Sequence, residues 1–293
     1  MINTLFVALQ YLLPHHLLSR LIGLLARCEW PPLKNALIRL FAWKFRVNMA
    51  EAQEPELTAY RHFNAFFTRA LKPDAREPDM DPSSILCPAD GTVSQIGRIQ
   101  DNLVLQAKGD YYSLERLLGG DPALARAFHN GSFATVYLSP RDYHRVHMPL
   151  SGTLLRTIYI PGRLFSVNEA TAARVPNLFA RNERLVCIFE TPAGKMAVIL
   201  VGAMIVAGIE TVWNGPVTPP HRDMEITHFR VTPDQPPLVI PRAGEVGRFY
   251  LGSTAIVLFA ADAVHWLDSL QAGDSVRMGQ AIGHCTDDAE HTQ

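Results

Sequence analysis

Pro88-Ala89-Asp90-Gly91-Thr92-Val93 sets turn chemistry directly before a β-like run. Gly273-Asp274-Ser275-Val276-Arg277-Met278-Gly279-Gln280-Ala281-Ile282-Gly283 repeats the device near the other end of the chain. Asp and Gly are the residues a tight turn selects, Gly for its backbone freedom and Asp for its local hydrogen bonds. Around these segments lie further short β-like runs broken by Gly, Pro and Asp, at 91–99, 103–107, 133–138, 152–160, 185–190, 196–206, 208–212, 249–251 and 254–259. Short helices are predicted at 114–118, 122–128 and 166–173. Strands without regularly alternating helices argue against a doubly wound parallel sheet. The expected fold class is therefore α+β, a mainly antiparallel β-sandwich over residues 85–293, with amphipathic helices before it.

The two turn segments resemble the hairpin edges of lipoyl/biotinyl-type β-sandwiches, which implies a sheet folded over on itself. A chain of 293 residues is long enough for one sizeable core with an appendage. Its 48% hydrophobic and 19% charged residues exclude general disorder, and a net charge of −1 gives no signal for nucleic acid. Cys28, Cys87, Cys187 and Cys285 are far apart and include no C-x-x-C pair, so free thiols are expected rather than zinc or redox chemistry.

Charge is unevenly spread. Residues 1–50 hold Arg20, Arg27, Lys34, Arg39, Lys44 and Arg46 against Glu29 alone. No secretory signal is legible there, and Gln10, Pro14, His15 and His16 interrupt the apolar run short of a bilayer's width. Beyond Pro14, Leu17, Leu18, Leu21, Ile22 and Leu25 form one stripe; after Pro31-Pro32, Leu33, Ala36, Leu37, Leu40 and Phe41 form another. Basic amphipathic helices parted by prolines, with Trp30 and Trp43, are expected to lie in a membrane interface, with Arg20, Arg27, Lys34 and Arg39 meeting anionic head groups. The plainer alternative is helices packed on the protein's own core. Residues 51–84 read as a connecting helix and linker.

Three places carry residue types with chemistry. Asp90, taken alone, is a turn residue. The segment Ser139-Pro140-Arg141-Asp142-Tyr143-His144-Arg145-Val146-His147-Met148-Pro149 packs two His, two Arg, an Asp and a Tyr between prolines, a density that favours an active-site loop over solvated histidines. His144 and His147 are spaced as metal ligands can be, yet no third ligand is obvious beyond scattered His221, His228 and His265, so no metal is expected. The third place is Arg248-Phe249-Tyr250-Leu251-Gly252-Ser253-Thr254-Ala255-Ile256-Val257-Leu258-Phe259. A bare Gly252-Ser253 is a turn or bulge. It also permits attack of an activated Ser oxygen on the unshielded Gly carbonyl, converting amide to ester. Elimination of that ester leaves dehydroalanine, which tautomerises and hydrolyses to a pyruvoyl group with loss of ammonia. An imidazole backed by a carboxylate suits the base, and His147 and Asp90 are candidates by residue type.

Leu251-Gly252-Ser253-Thr254, with Phe249 before it, resembles the self-cleavage motif of the phosphatidylserine decarboxylase family. So do Pro88-Ala89-Asp90-Gly91, Ser139 through Pro149, Tyr159-Ile160-Pro161-Gly162-Arg163-Leu164-Phe165-Ser166-Val167-Asn168, Asn177-Leu178-Phe179-Ala180-Arg181-Asn182-Glu183-Arg184, and the run from Val201-Gly202-Ala203 to Ile209-Glu210-Thr211-Val212-Trp213. The likeness covers nearly the whole chain, is closest to membrane-associated bacterial enzymes, and departs only in a short tail after Gly283.

The resemblance implies a triad of Asp90, His147 and Ser253 for cleavage of the Gly252–Ser253 bond. It implies a β chain of residues 1–252 and an α chain of 41 residues, 253–293, that begins with the pyruvoyl cofactor. It further implies decarboxylation of phosphatidylserine to phosphatidylethanolamine through a Schiff base on that group, and a homodimer of cleaved protomers. The expected place is the cytoplasmic side of the cell membrane, held peripherally. His144, close to His147 and with a neutral-pH pKa, is expected to be the general acid. The competing readings are a pyruvoyl decarboxylase of a soluble amino acid, a metal-dependent hydrolase using His144 and His147, and a non-enzymatic membrane-anchored β-sandwich module.

Overall fold

The computed structural model describes residues 2–107, 109–204, 208–217, 223–229, 236–250 and 253–286, so Leu251, Gly252 and His221 lie outside the described residues. The strands that frame the site are β1 (Gly91–Arg98), β2 (Ser132–Leu138), β3 (Arg145–His147), β4 (Gly152–Ile160), β5 (Arg184–Thr191), β6 (Gly194–Gly202), β7 (Glu245–Phe249), β8 (Ser253–Phe259) and β9 (Ser275–Val276). The largest sheet runs β4-β5-β6-β8-β2-β1-β9, with Glu225–His228 and Val239–Ile240 paired on β4. Every one of its pairings is antiparallel. A second sheet orders Gly215–Pro216, Ile209–Thr211, β7 and β3.

Strand β8 is buried along its whole length because it lies mid-sheet with both faces covered. Ile256 and Leu258 enter one core with Phe128, Phe165 and Phe179. Ala255, Val257 and Phe259 enter the other, with Val146, Val246 and Phe249 of the second sheet. Two covered faces select an unbroken apolar run, as in Ala255–Phe259, over the polar alternation of a half-exposed strand. Hence the α+β, mainly antiparallel, sandwich-like layering expected from the runs. The two turn segments of the opening pair with each other: Ser275 faces Thr92 and Val276 faces Gly91, and Gly279 N and Cys87 O bond at 3.0 Å. Gly91 is required there, since a Cβ would meet Tyr137 O at 2.2 Å.

The N-terminal helices are α1 (Ile2–Leu12), α2 (His15–Ala26) and α3 (Pro31–Phe45), parted at Pro14 and restarted at Pro31; α4 (Phe63–Phe67) follows. The buried face of α2 is made of small or polar residues, His15, Ser19, Gly23 and Ala26, while Leu17, Leu21, Leu24 and Leu25 are exposed. Side-chain bonds from Gln10 to Ser166 N and Thr171, and from His16 to Gly162 O, pin this segment to the body. Lys34 corrects the charge reading: it is buried, donating to Thr58 O, Tyr60 O and Asn35 Oδ1, because α3 turns that residue inward against the linker. Arg20, Arg27 and Arg39 are exposed. No described helix is long and apolar enough to cross a membrane. None of the four cysteines is joined in a disulfide.

Candidate active site

Ser253 is the first residue of β8, locked on both sides by ladder pairing with Leu138 of β2 and Gly202 of β6. It is fully buried, and its Oγ is without a hydrogen-bond partner among the described residues. A buried hydroxyl left unbonded costs free energy, so such a group marks a place where chemistry or a ligand is to be sought. Gly202 on its flank is itself held twice: its N–H donates to Glu183 O at 2.8 Å, and its carbonyl accepts from Asn182 Nδ2 at 2.9 Å. Asn182 also bonds Phe165 N and O, so three of the motif blocks meet beside Ser253.

The dense histidine loop leaves β2 at Leu138, the residue paired with Ser253, and returns at His144, whose carbonyl accepts from Phe249 N at 3.0 Å. The loop is thereby adjacent to Phe249 and Ser253 although more than 100 residues separate them. His144 is fully buried; its ring centroid lies 4.0 Å from that of Phe67, its Nδ1 bonds Asp142 O at 2.8 Å, and its Nε2 has no partner among the described residues. Burial pushes its pKa down to about 3, which corrects the expectation of titration near neutrality. The imidazole is thus neutral, with the proton on Nδ1 and the lone pair on Nε2.

His147 N–H donates to Pro88 O at 2.8 Å, tying β3 to the Asp90 turn. Its Nδ1 bonds Ala243 O at 2.8 Å and its Nε2 meets the Tyr143 hydroxyl at 3.1 Å. Donation from Nδ1 to a carbonyl leaves Nε2 to accept from the tyrosine. Burial lowers the His147 pKa, and Tyr143 is pushed up to about 12 by the same cause, so both are neutral. Asp90 does not hydrogen-bond His147. Its carboxylate is held by Arg76, whose Nε donates to both oxygens at 2.9 and 3.1 Å and whose Nη2 adds a further bond, and by Met278 N at 2.9 Å. The structure thus brings Asp90, His147 and their loops into one neighbourhood without closing a hydrogen-bonded relay. Arg76 and Tyr143 are the partners that residue spacing left unassigned: Arg76 stands 14 residues from Asp90 in a linker, and Tyr143 was one polar residue among several. Among the described residues no three His, Cys, Asp or Glu side chains are grouped to hold a metal ion.

A buried serine opening a doubly paired strand, with neutral buried histidines on the neighbouring loop, is the architecture of an enzyme site, and comparison with known proteins gives its class as carboxy-lyase. A family model described as phosphatidylserine decarboxylase matches residues 63–284, and a second, described as PSD, matches residues 5–46. The chain belongs to the phosphatidylserine decarboxylase family. The phosphatidylserine decarboxylase proenzyme of Pseudomonas putida is 59% identical over 280 residues, covering 96% of this chain and 97% of that protein. The protein of the same description from Azotobacter vinelandii is 58% identical over 284 residues, covering 97% and 99%.

Proposed function

We propose that this chain is a proenzyme that cleaves its own backbone between Gly252 and Ser253 and then converts phosphatidylserine to phosphatidylethanolamine and carbon dioxide. The observation that carries the reading is the unpartnered, fully buried Ser253 Oγ at the head of β8, in a chain whose relatives are described as proenzymes. The surroundings fit a pyruvoyl group at that position, because a strand paired on both sides holds residue 253 rigidly and excludes water. A pyruvoyl ketone supplies an electron sink for the pair left when carbon dioxide departs.

The chain's own residues are assigned as follows. His147 takes the Ser253 proton at Nε2, which requires the Tyr143 hydroxyl to yield or relay it. Asp90 stabilises the resulting imidazolium through space, once Arg76 shares its charge. His144 first accepts a proton at Nε2, which carries the lone pair and has no partner among the described residues, and then returns it. The exposed leucines of α2, together with Leu40, Trp30 and Trp43 and the exposed arginines 20, 27 and 39, support peripheral docking on the cytoplasmic face of an anionic membrane. There the diacyl substrate need not leave its bilayer. Assembly as a homodimer of cleaved protomers belongs to the same reading.

Intact mass under denaturing conditions tests it. The expected result is two chains, the smaller 41 residues long and beginning with a pyruvoyl group. His147→Ala and Ser253→Ala are each expected to leave one chain. A wild-type chain that stays whole, with an ordinary serine at 253, overturns the proposal.

A further inference from the structure

Three arginines that pack against the β-rich body, two of them from the linker, are buried or nearly so, and they are satisfied very differently. Arg76 is paired with Asp90 and Glu51. Arg184 is saturated by four backbone carbonyls, those of Arg116, Leu117, Ala180 and Asn182. Arg69 has neither kind of shell. It is only 4% exposed, no carboxylate lies within ion-pair distance of it among the described residues, and its Nε has no partner. Its hydrogen bonds come from Nη2 alone, to Arg141 O at 3.2 Å and marginally to Asp142 O at 3.5 Å, and its guanidinium lies 5.7 Å from the centre of the Phe66 ring. Burial correspondingly lowers its pKa. A buried cation this poorly satisfied is unfavourable unless an anion completes it.

Arg69 lines a cavity of about 320 Å³ that also takes Arg46, Arg141 and Arg277 in its wall. The carboxylates there are Glu51, Asp90 and Asp142. Glu51 and Asp90 are already committed to Arg76, and Asp142 accepts from Ser139 N at 2.7 Å. Arg141 and Arg277 make only long contacts to acids, 3.8 Å to Asp142 and 3.7 Å to Glu51. The cavity therefore keeps an excess of positive charge on forked donors suited to phosphate oxygens.

The cavity is also at the right reach. Thr92 in its wall and Thr254 in β8 both pair with Tyr137, so they stand two strand spacings apart, about 10 Å. Ser253 is the next residue of the strand, so its backbone lies at the same reach while its side chain turns to the opposite face of the sheet. In a serine phosphodiester, nitrogen and phosphorus are separated by four bonds of about 1.5 Å, or about 5 Å extended. An ion-pair contact of about 4 Å between phosphorus and guanidinium nitrogen completes the span. Arg46, also in the wall, caps the end of α3, the helix that exposes Leu40 and Trp43.

We propose that this cavity, with Arg69 at its base and Arg141 and Arg277 at its mouth, binds the phosphodiester of the lipid head group while its serine portion reaches residue 253. The inference rests on the lipid-decarboxylase reading above. It adds a binding site that neither the resemblance nor the fold assigns.

Calorimetric titration of the mature enzyme with glycerophosphoethanolamine tests it, with ethanolamine and inorganic phosphate as the two controls. Arg69→Gln is expected to weaken glycerophosphoethanolamine about tenfold or more, and Arg277→Gln a few-fold, while ethanolamine binding is unchanged in both. Each variant should still cleave to the same two masses, and KM for phosphatidylserine vesicles should rise more than kcat falls. If Arg69→Gln does not fold, Arg277→Gln and Arg141→Gln decide. Wild-type affinity for glycerophosphoethanolamine in the folded variants overturns the site. Tighter binding of inorganic phosphate than of glycerophosphoethanolamine, lost in the same variants, overturns the head-group assignment in favour of free phosphate. A wild-type enzyme that leaves phosphatidylserine unchanged overturns the underlying reading instead, whatever the anion titrations give.

Discussion

Arg76→Met, made in a Ser253→Ala chain so that unfolding involves one polypeptide, isolates the electrostatic support of Asp90. Arg76 and Asp90 side chains are 8% and 9% exposed, so neither is free to rehydrate in place. The substitution keeps the apolar stem and removes three bonds to Asp90 and one, at 2.8 Å, to Glu51. Asp90 then retains only the Met278 N–H. Removing one partner of a buried pair costs about 3–5 kcal/mol, because the surviving charge stays desolvated. Glu51, more exposed at 23%, adds little. Urea unfolding should therefore show a lower midpoint with an unchanged slope. In a double-mutant cycle with Asp90→Asn, the two changes together should cost less than their sum by about 2 kcal/mol or more. A loss below about 1 kcal/mol for Arg76→Met alone, or a coupling near zero, would refute the claim that this pair holds the turn.

Three further expectations follow from burial and exposure. His144 titrates at about 3 in the folded chain and near its ordinary 6.5 when unfolded, so the unfolded chain binds the proton first as pH falls. Stability is then full above pH 6.5 and drops by about 2 kcal/mol between pH 6.5 and 5, a slope that His144→Phe should remove; an unchanged slope in the variant counts against it. Glu183 is the opposite case: burial raises its pKa from 4.5 to about 7, so its contribution is full below pH 4.5 and is lost as pH rises through 7. Glu183→Gln should flatten stability by about 1.4 kcal/mol per pH unit across that window in paired denaturation curves, and identical pH profiles would contradict the assignment. Replacing exposed Leu17, Leu21, Leu24 and Trp43 by Gln should leave the fold intact and weaken sedimentation with anionic vesicles at least about a hundredfold. Undiminished co-sedimentation would place the docking surface elsewhere.

The strand runs were legible because periodicity and turn chemistry are local. The predicted 103–107 and 152–160 coincide with observed strands, and 133–138 and 254–259 fall short of theirs by one residue. The short helix Leu178–Arg181 and β3 were not predicted, being too brief to show any period. The stripes of α2 and α3 were visible too, but which way each helix turned was not. Lys34 faces inward because the linker carbonyls of Thr58 and Tyr60 accept its charge, and several α2 leucines face outward because the helix packs through His15, Ser19, Gly23 and Ala26 instead.

Residue type and order alone thus determined the family resemblance, the choice of Gly252–Ser253 as the bond proposed to be cut and the short list of Asp90, His144 and His147, since each depends on chemistry carried by neighbouring residues. Tertiary structure decided what those groups contact. Asp90 meets Arg76, His147 meets Tyr143 and the Ala243 carbonyl, and His144 and Ser253 are buried with a polar atom left unbonded. Those outcomes turn on chain segments far apart in sequence packing to ångström tolerance, and on the water that packing excludes. A linear pattern does not encode either quantity directly.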